Sequence, residues 1–426
     1  MKITLIYLPH PYLKQPDAQA PLGIMYLASS VREHGFEVEI KSYSSYLTYE
    51  AIADLDESDF YGISVTSLEL PQANRFAHLI REKFPNAIVG LGGPGTYTDE
   101  FVDWTVISTI CKGEGEITFL TMLRDMKRGE LKKIYAGKII ENLDLIPFPS
   151  RDLLKDKQGG NIFAYDKEYK EGGSTILLTS RGCPFKCTFC SAPKFTYSKK
   201  VRYRGPENVK KEVEHVIQEY GIRQFRISDD MFTANRNRVL ELCEYLGPLD
   251  IAWRISTRAK PIDYEMYKTM FDAGCQEVSF GIESFDNDVL KVLKKGTTAE
   301  DNAKALEIAH KVGMKTRVLF MIRTPGQTSE TVKRNIEWLQ RVPYDIICVT
   351  SFVPLPGSEI WENPDKFGIE ILSRNLDDYN FYFFGSSGEN ELIDVIKIKD
   401  RSLDEFNEET QYFKDWIYST GKLNTG

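Results

Sequence analysis

The chain lacks any apolar run approaching the roughly 20 consecutive residues that a membrane-crossing helix requires, so no segment qualifies as one. It lacks a cleavable secretion signal, and the expected location is therefore cytoplasmic. Positive charge is not in excess: 54 Lys and Arg stand against 62 Asp and Glu, a net charge of −8. That balance argues against non-specific binding to nucleic acid. Histidine is scarce, with five in 426 residues. Cysteine is scarce too, with seven, and in a reducing compartment these are thiols rather than disulfides. What remains is an ordinary globular composition, 42% hydrophobic and 27% charged, long enough for two or three domains.

Three of the seven cysteines fall in one loop, residues 179–191, as Cys183, Cys187 and Cys190 in the spacing C-x3-C-x2-C. The preceding residues 174–179 are apolar and β-branched and read as a buried strand. The loop thus sits just past the C-terminal end of a strand, where parallel α/β folds build their sites. Thiolates are soft ligands, suited to iron–sulfur clusters and to zinc. A complete shell takes four ligands, and no histidine lies near; the closest in sequence is His215. Three thiolates on a cubane leave one iron open to a substrate or cofactor. Zinc, or a chance grouping of buried thiols, are the alternatives. Cys111, Cys243, Cys275 and Cys348 are unclustered and offer no second centre.

At these residues the chain resembles the radical S-adenosylmethionine (SAM) family. The cysteine spacing, Phe189 just before the third cysteine and the Arg181-Gly-Cys-Pro opening carry the likeness. In that family the methionine amine and carboxylate of SAM chelate the open iron of a [4Fe–4S] cluster. An electron from the reduced cluster then cleaves SAM to a 5′-deoxyadenosyl radical. The resemblance implies Cys183, Cys187 and Cys190 as metal ligands and catalytic centre. It implies SAM as cofactor and an electron donor such as flavodoxin or ferredoxin as partner.

Residues 1–145 read as strands at 2–8, 36–40, 60–66, 87–91 and 106–111, alternating with helices. Such alternation predicts an open, doubly wound parallel sheet of Rossmann-like (flavodoxin-like) type. Ligands bind such sheets at the carboxyl ends of the strands. Those ends carry Ser64, Thr66, Gly92, Gly93, Gly113 and Gly115, and glycine there lets backbone approach a bulky ligand. This half resembles the cobalamin-binding domain of one large B12-dependent (class B type) radical SAM subfamily. Gly92-Gly-Pro and Lys112-Gly-Glu-Gly-Glu116 carry that likeness. It implies cobalamin held by Ser64, Thr66, Gly92, Gly93, Gly113 and Glu114. Two departures stand out: the Asp-x-His-x-x-Gly motif that supplies an axial histidine to cobalt is absent, and Gly95 stands where a histidine often follows Gly-Gly-Pro. Many members also lack the first motif. Some relatives keep the fold without cobalamin, so a vestigial domain is the alternative.

Residues 146–175 read as a linker, Pro-rich at first and then polar, with a mobile loop expected over 155–173. Residues 176–360 hold six strand–helix units, which predict a partial (β/α)6 TIM-type barrel open on one side. Polar residues mark its strand ends: Asp229 and Asp230, Arg258, and Glu283 and Ser284. Gly281-Ile-Glu-Ser284 resembles the family's fourth-strand SAM motif. The resemblance puts Asp229 and Asp230 against SAM hydroxyls or amine, Arg258 on the methionine carboxylate and Phe189 by the adenine. Residues 361–426 form a small C-terminal extension with a helix over 403–418 and an aromatic run at 379–384, read as core. In the subfamily such tails complete the open barrel.

The expected function is radical SAM methylation, with cobalamin, of an unactivated carbon in a small-molecule or natural-product substrate. The alternative is a radical rearrangement, cyclisation or C–C coupling, with or without cobalamin. A plain electron-transfer protein is disfavoured by the polar strand ends around the cysteine loop.

Overall fold

The computed structural model describes residues 1–10, 20–43, 52–154, 169–192, 200–379, 393–399 and 401–423. Residues 155–168 of the expected mobile loop, and all but Tyr379 of the late aromatic run, lie outside them. Among the described residues no helix is long and apolar enough to cross a membrane.

The N-terminal sheet contains β1 (Lys2–Tyr7), β2 (Glu37–Ser42), β3 (Phe60–Ser64), β4 (Ile88–Gly92), β5 (Thr109–Lys112) and β6 (Ile134–Ala136). Its order is β2-β1-β3-β4-β5-β6, with every pair parallel. Central strands are apolar on both faces because helices cover both. Ile3 and Leu5 pack with the helices Leu22–Arg32 and Glu116–Lys127. Ile6, Ile63 and Val89 pack with the helix Leu70–Lys83 on the other side. Strand order reverses between β1 and β3, so the loops beyond them part and leave a crevice. The sequence shows five of these six strands. β6 escapes notice because it is a three-residue edge strand with Ile134 exposed. β5 starts later than its apolar run suggests, because the Val106 and Ile107 amides close a turn onto the Asp103 carbonyl at 3.2 and 3.0 Å.

The second sheet starts at β7 (Ser174–Leu177). A short antiparallel ribbon, β8 (Ser180–Arg181) with β9 (Arg202–Tyr203), follows it and spans the cysteine loop. Then come β10 (Gln224–Ile227), β11 (Ala252–Arg258), β12 (Cys275–Glu283), β13 (Lys315–Ile322) and β14 (Ile346–Ser351). The order β14-β13-β12-β11-β10-β7 is the chain order, all parallel, and the two end strands do not pair. This is the expected open barrel of six units. Helices pack on its outside around Phe225, Trp253, Phe280 and Phe320. Their starts and stops are local: Pro206 opens one helix, and Gly221, at φ 68, ends it in the left-handed region.

The C-terminal helix Leu403–Ser419 lies on the barrel wall, with Phe413 stacked on Phe320 at 5.6 Å. Beyond it Leu423 forms a parallel bridge to Ile347 at the open edge of β14. The strands β15 (Ile369–Ile371) and β16 (Ile396–Ile398) form a small antiparallel pair. They share an apolar cluster with Leu68 of the N-terminal half and Trp361.

Buried ion pairs tie the linker to the barrel half. Arg151 reaches Glu212 at 2.7 Å, and Arg204 binds the other Glu212 oxygen. Arg204 also donates to the Leu178 carbonyl at 2.9 Å and to the Tyr26 hydroxyl at 3.4 Å. Glu212 is fully buried, so its ionised form depends on both guanidiniums.

Candidate active site

The cysteine loop is hung from one carboxylate. Thr179 donates its amide and hydroxyl to Asp229 at 2.7 and 2.5 Å, and Ser180 does the same at 3.0 and 2.6 Å. Asp229 is 4% exposed and both its oxygens are engaged. The structure places Asp229 under the start of the loop, where it anchors Thr179 and Ser180. Gly182 then turns the chain at φ +104, a conformation that suits glycine. Its amide donates to Asp230 at 3.1 Å.

Cys183, Cys187 and Cys190 are half-buried. Burial pushes the Cys183 and Cys190 thiols up, Cys190 to about 12, and Cys187 and Asp230 add to the rise at both. Among the described residues no three His, Cys, Asp or Glu side chains converge tightly enough for a single metal ion. A cubane takes its thiolates on separate irons and needs no such convergence. Three thiolates on one loop are a soft donor set that fits an iron–sulfur cluster.

Arg258, the last residue of β11, faces this loop. It is 6% exposed, and its guanidinium carbon lies 3.6 Å from the centre of the Phe185 ring. Its Nε and Nη1 are buried without a hydrogen-bond partner. Burial lowers its pKa, while Cys187, Cys183 and Glu283 favour its charge. A buried guanidinium with open donors fits a carboxylate ligand. Glu283 ends β12 at φ +63, where the register with β13 shifts, and accepts from Lys295 at 2.9 Å. Asp230 opens onto the interdomain cavity. Two further expected site residues have partners in the fold. Ser284 is 1% exposed, donates to Asn335 at 3.1 Å and accepts from the Asp286 amide at 3.0 Å, so it shapes the turn rather than facing the loop. Phe189 packs into the apolar cluster of Val289, Leu293 and Trp361, with Lys295 Nζ 5.9 Å from its ring centre.

At the edge of the N-terminal sheet a cavity of about 460 Å³ runs between the strands and the helices Leu22–Arg32 and Glu116–Lys127. Leu5, Phe60, Gly62, Gly90, Phe119 and Met122 wall its interior. Ser64, Gly92, Gly93, Gly113 and Glu114 form its rim, joined there by Gly182 and Asp230 of the barrel half. A Cβ on Gly92 would meet nothing within 4 Å, so the cavity fills the space a side chain would take. Gly93 is different: at φ +88 its Cβ would lie 2.7 Å from the Val65 carbonyl. Inside, a Cβ on Gly62 would strike Leu5 at 2.8 Å, and one on Gly90 would strike Phe60 at 2.4 Å. A deep, apolar, glycine-edged slot fits a flat aromatic tail such as cobalamin carries. No histidine is in its wall. His10, just beyond β1, is turned to the Tyr7 hydroxyl at 2.7 Å and to Glu69.

Two of the expected rim residues make hydrogen bonds within the fold. Thr66 is outside the cavity wall and caps the turn Ser67–Glu69, its amide donating to Glu69 at 2.8 Å. Glu114 reaches the rim, but its carboxylate binds Arg202 at 2.6 and 2.9 Å, Arg181 at 3.3 Å and the Ile140 amide at 2.8 Å. Burial opposes its ionised form, yet the Arg202 bond and Arg181 charge outweigh that and hold the carboxyl below its ordinary range. Arg181 also binds Glu116 at 2.5 Å. Sequence reasoning missed this clamp: Arg181 and Arg202 flank the cysteine loop, but nothing local says which acids they meet.

Comparison with known proteins accords with this geometry. Residues 177–356 match the Radical SAM superfamily, and residues 17–123 match the B12 binding domain. An uncharacterized methyltransferase of Pyrococcus horikoshii is 33% identical over 367 residues, covering 80% of this chain and 78% of its own. The chain belongs to the B12-binding radical SAM family. This radical SAM enzyme is also 25% identical over 388 residues to the anaerobic magnesium-protoporphyrin IX monomethyl ester cyclase of Rubrivivax gelatinosus, covering 85% of this chain and 68% of the cyclase. Its fold is shared with the radical SAM methyltransferase TsrM from Kitasatospora setae, solved with cobalamin and a [4Fe–4S] cluster bound. The TM-score is 0.68 at 16% identity, covering 87% of this chain and 76% of TsrM. A [4Fe–4S] cluster, SAM and cobalamin are the cofactors this family membership brings.

Proposed function

We propose that this radical SAM enzyme methylates an unactivated carbon of a small molecule. One observation carries the reading: a single cavity is walled by the glycine edge of the N-terminal sheet and by Gly182 and Asp230 beside the cysteine loop. When bound, the cluster and SAM supply the radical that activates carbon, and cobalamin supplies the methyl group. The chain's own residues bind, orient and exclude water. Cys183, Cys187 and Cys190 hold the cluster. Arg258 offers its open donors to the methionine carboxylate, and Glu283 offers a carboxylate oxygen to the amine or ribose. Ser64, Gly92, Gly93 and Gly113 edge the cobalamin slot. The Arg202–Glu114 and Arg181–Glu116 pairs keep the two cofactor sites at one fixed spacing, because buried charges resist separation. Reduction of the cluster calls for a one-electron donor such as flavodoxin or ferredoxin, and a reducing, cytoplasmic setting suits it.

Anaerobic reconstitution with iron, sulfide and hydroxocobalamin tests the reading. The expected result is one [4Fe–4S] cluster and one cobalamin per chain. Turnover with a small-molecule library under reducing conditions then yields both 5′-deoxyadenosine and S-adenosylhomocysteine. A protein that makes 5′-deoxyadenosine, retains no cobalamin and makes no S-adenosylhomocysteine is not a methylase.

A further inference from the structure

We propose that Lys295 is the positioning residue of the SAM site: it fixes the Glu283 carboxylate over Gly281 and leaves the second oxygen for a donor on SAM. The inference rests on the SAM reading above and assigns a role to a residue outside the strand-end motif.

Lys295 reaches the site by an unusual path. It follows the short helix Asn287–Val292, and its amide donates back to the Leu290 carbonyl at 2.9 Å. Lys294 before it has φ 50 and Gly296 after it has φ 70. Two consecutive excursions into the left-handed region, separated by one residue, turn the chain back over the end of β12. Lys295 is then 5% exposed, and its ammonium binds Glu283 Oε1 at 2.9 Å. A buried ammonium must be paired, so one partner explains the other only in part.

The surroundings show what the pair is for. A Cβ on Gly281 would lie 2.9 Å from both Lys295 Nζ and Glu283 Oε1. The pair therefore occupies the slot that the missing side chain leaves on β12. A Cβ on Gly296 would lie 3.3 Å from Arg258 Nη2. Two glycines thus let two cations and one carboxylate close in beside the cysteine loop. Glu283 itself pays in backbone strain, at φ +63, where the β12 register shifts. Strain of that kind persists where the surroundings hold it and clusters at ligand sites. A buried ion pair adds little net stability over apolar side chains of like size. The fold alone gains little from this arrangement, whereas a ligand carrying an amine or hydroxyl donor gains a carboxylate oxygen held in one place.

Isothermal titration of SAM into anaerobically reconstituted protein tests this, with Lys295→Met and the double variant Glu283→Gln/Lys295→Met beside the wild type. Iron content and thermal midpoint are measured on each. Lys295→Met is expected to weaken SAM binding by about 10- to 100-fold, the effect of losing one hydrogen bond made by a charged group. The double variant removes the unpaired buried charge, so its thermal midpoint recovers while its SAM affinity does not. Should the single variant fail to fold, Glu283→Gln is measured beside the double variant: equal SAM affinity in the two is the result expected of a lysine that acts through Glu283, and a further loss in the double variant overturns the positioning role. Wild-type affinity in Lys295→Met, or affinity recovered together with the midpoint in the double variant, shows that the pair serves only the fold. A wild-type protein that holds its cluster and binds no SAM overturns the SAM reading and this inference with it.

Discussion

Gly92 and Gly93 are neighbours at the end of β4, and the structure separates their roles sharply enough to test. A side chain on Gly92 would project into open space within the cavity of about 460 Å³. Gly92→Phe should therefore leave the cofactor-free fold near its wild-type stability, within about 0.5 kcal/mol. Cobalamin must then displace the ring or overpack the slot. Overpacking costs about 1–3 kcal/mol, which is about a 5- to 150-fold loss of affinity. Gly93→Ala makes the contrast. Its φ of +88 and the Val65 carbonyl 2.7 Å from the new Cβ cost the fold itself about 1–3 kcal/mol. Thermal melts of the apo proteins and visible spectra after hydroxocobalamin loading separate the two effects. The wild-type Co(II) resonance spectrum should show no splitting from an axial nitrogen, since no histidine is in the cavity wall. Gly92→Phe that retains one cobalamin per chain with an unchanged spectrum refutes the placement of the tail in this slot. An axial nitrogen splitting refutes the histidine-free mode.

Asp229→Asn replaces two acceptor oxygens that take four donors from Thr179 and Ser180; stability should fall by about 3 kcal/mol, and iron content should fall with it, whereas a variant that keeps its cluster and loses only SAM would restore Asp229 to the ligand site. Arg258→Met should keep the cluster and weaken SAM binding by about 10- to 100-fold, because the buried Nε and Nη1 are open for an anion; unchanged affinity by titration calorimetry would remove Arg258 from the site. Burial alone would raise the Glu212 carboxyl, but Arg151 and Arg204 outweigh it and hold it below its ordinary value. Its folded pKa is thus lower than the unfolded value of about 4.3. Its contribution is present above that pH and is lost as pH falls through the folded value. Glu212→Gln should cost about 3–5 kcal/mol near neutral pH, by leaving two buried cations, and should flatten the acid limb of a stability–pH curve; an acid limb as steep as the wild type's would show that other groups control it.

Much of this protein was legible in its linear sequence because the determining interactions are local. Cys183, Cys187 and Cys190 lie within eight residues, so their spacing needs no fold to be recognised. Strand–helix alternation carries the two parallel sheets, since a buried parallel strand must be apolar on both faces. Helix limits such as Pro206 and Gly221 are written in single residues. What only the tertiary structure decided is which polar groups are spent on the fold and which are left for a ligand. Asp229 and Asp230 are adjacent and chemically identical, yet one is saturated by four donors from a loop 49 and 50 residues away, and the other opens onto the cavity. Thr66 and Glu114 share strand-end positions with Ser64 and Gly113, but their hydrogen bonds go to a cap and to the interdomain arginines. A carboxylate's availability depends on the donors that converge on it, and those arrive from segments far apart in the chain. Residue type and spacing therefore determined the chemistry on offer, and three-dimensional convergence determined who receives it.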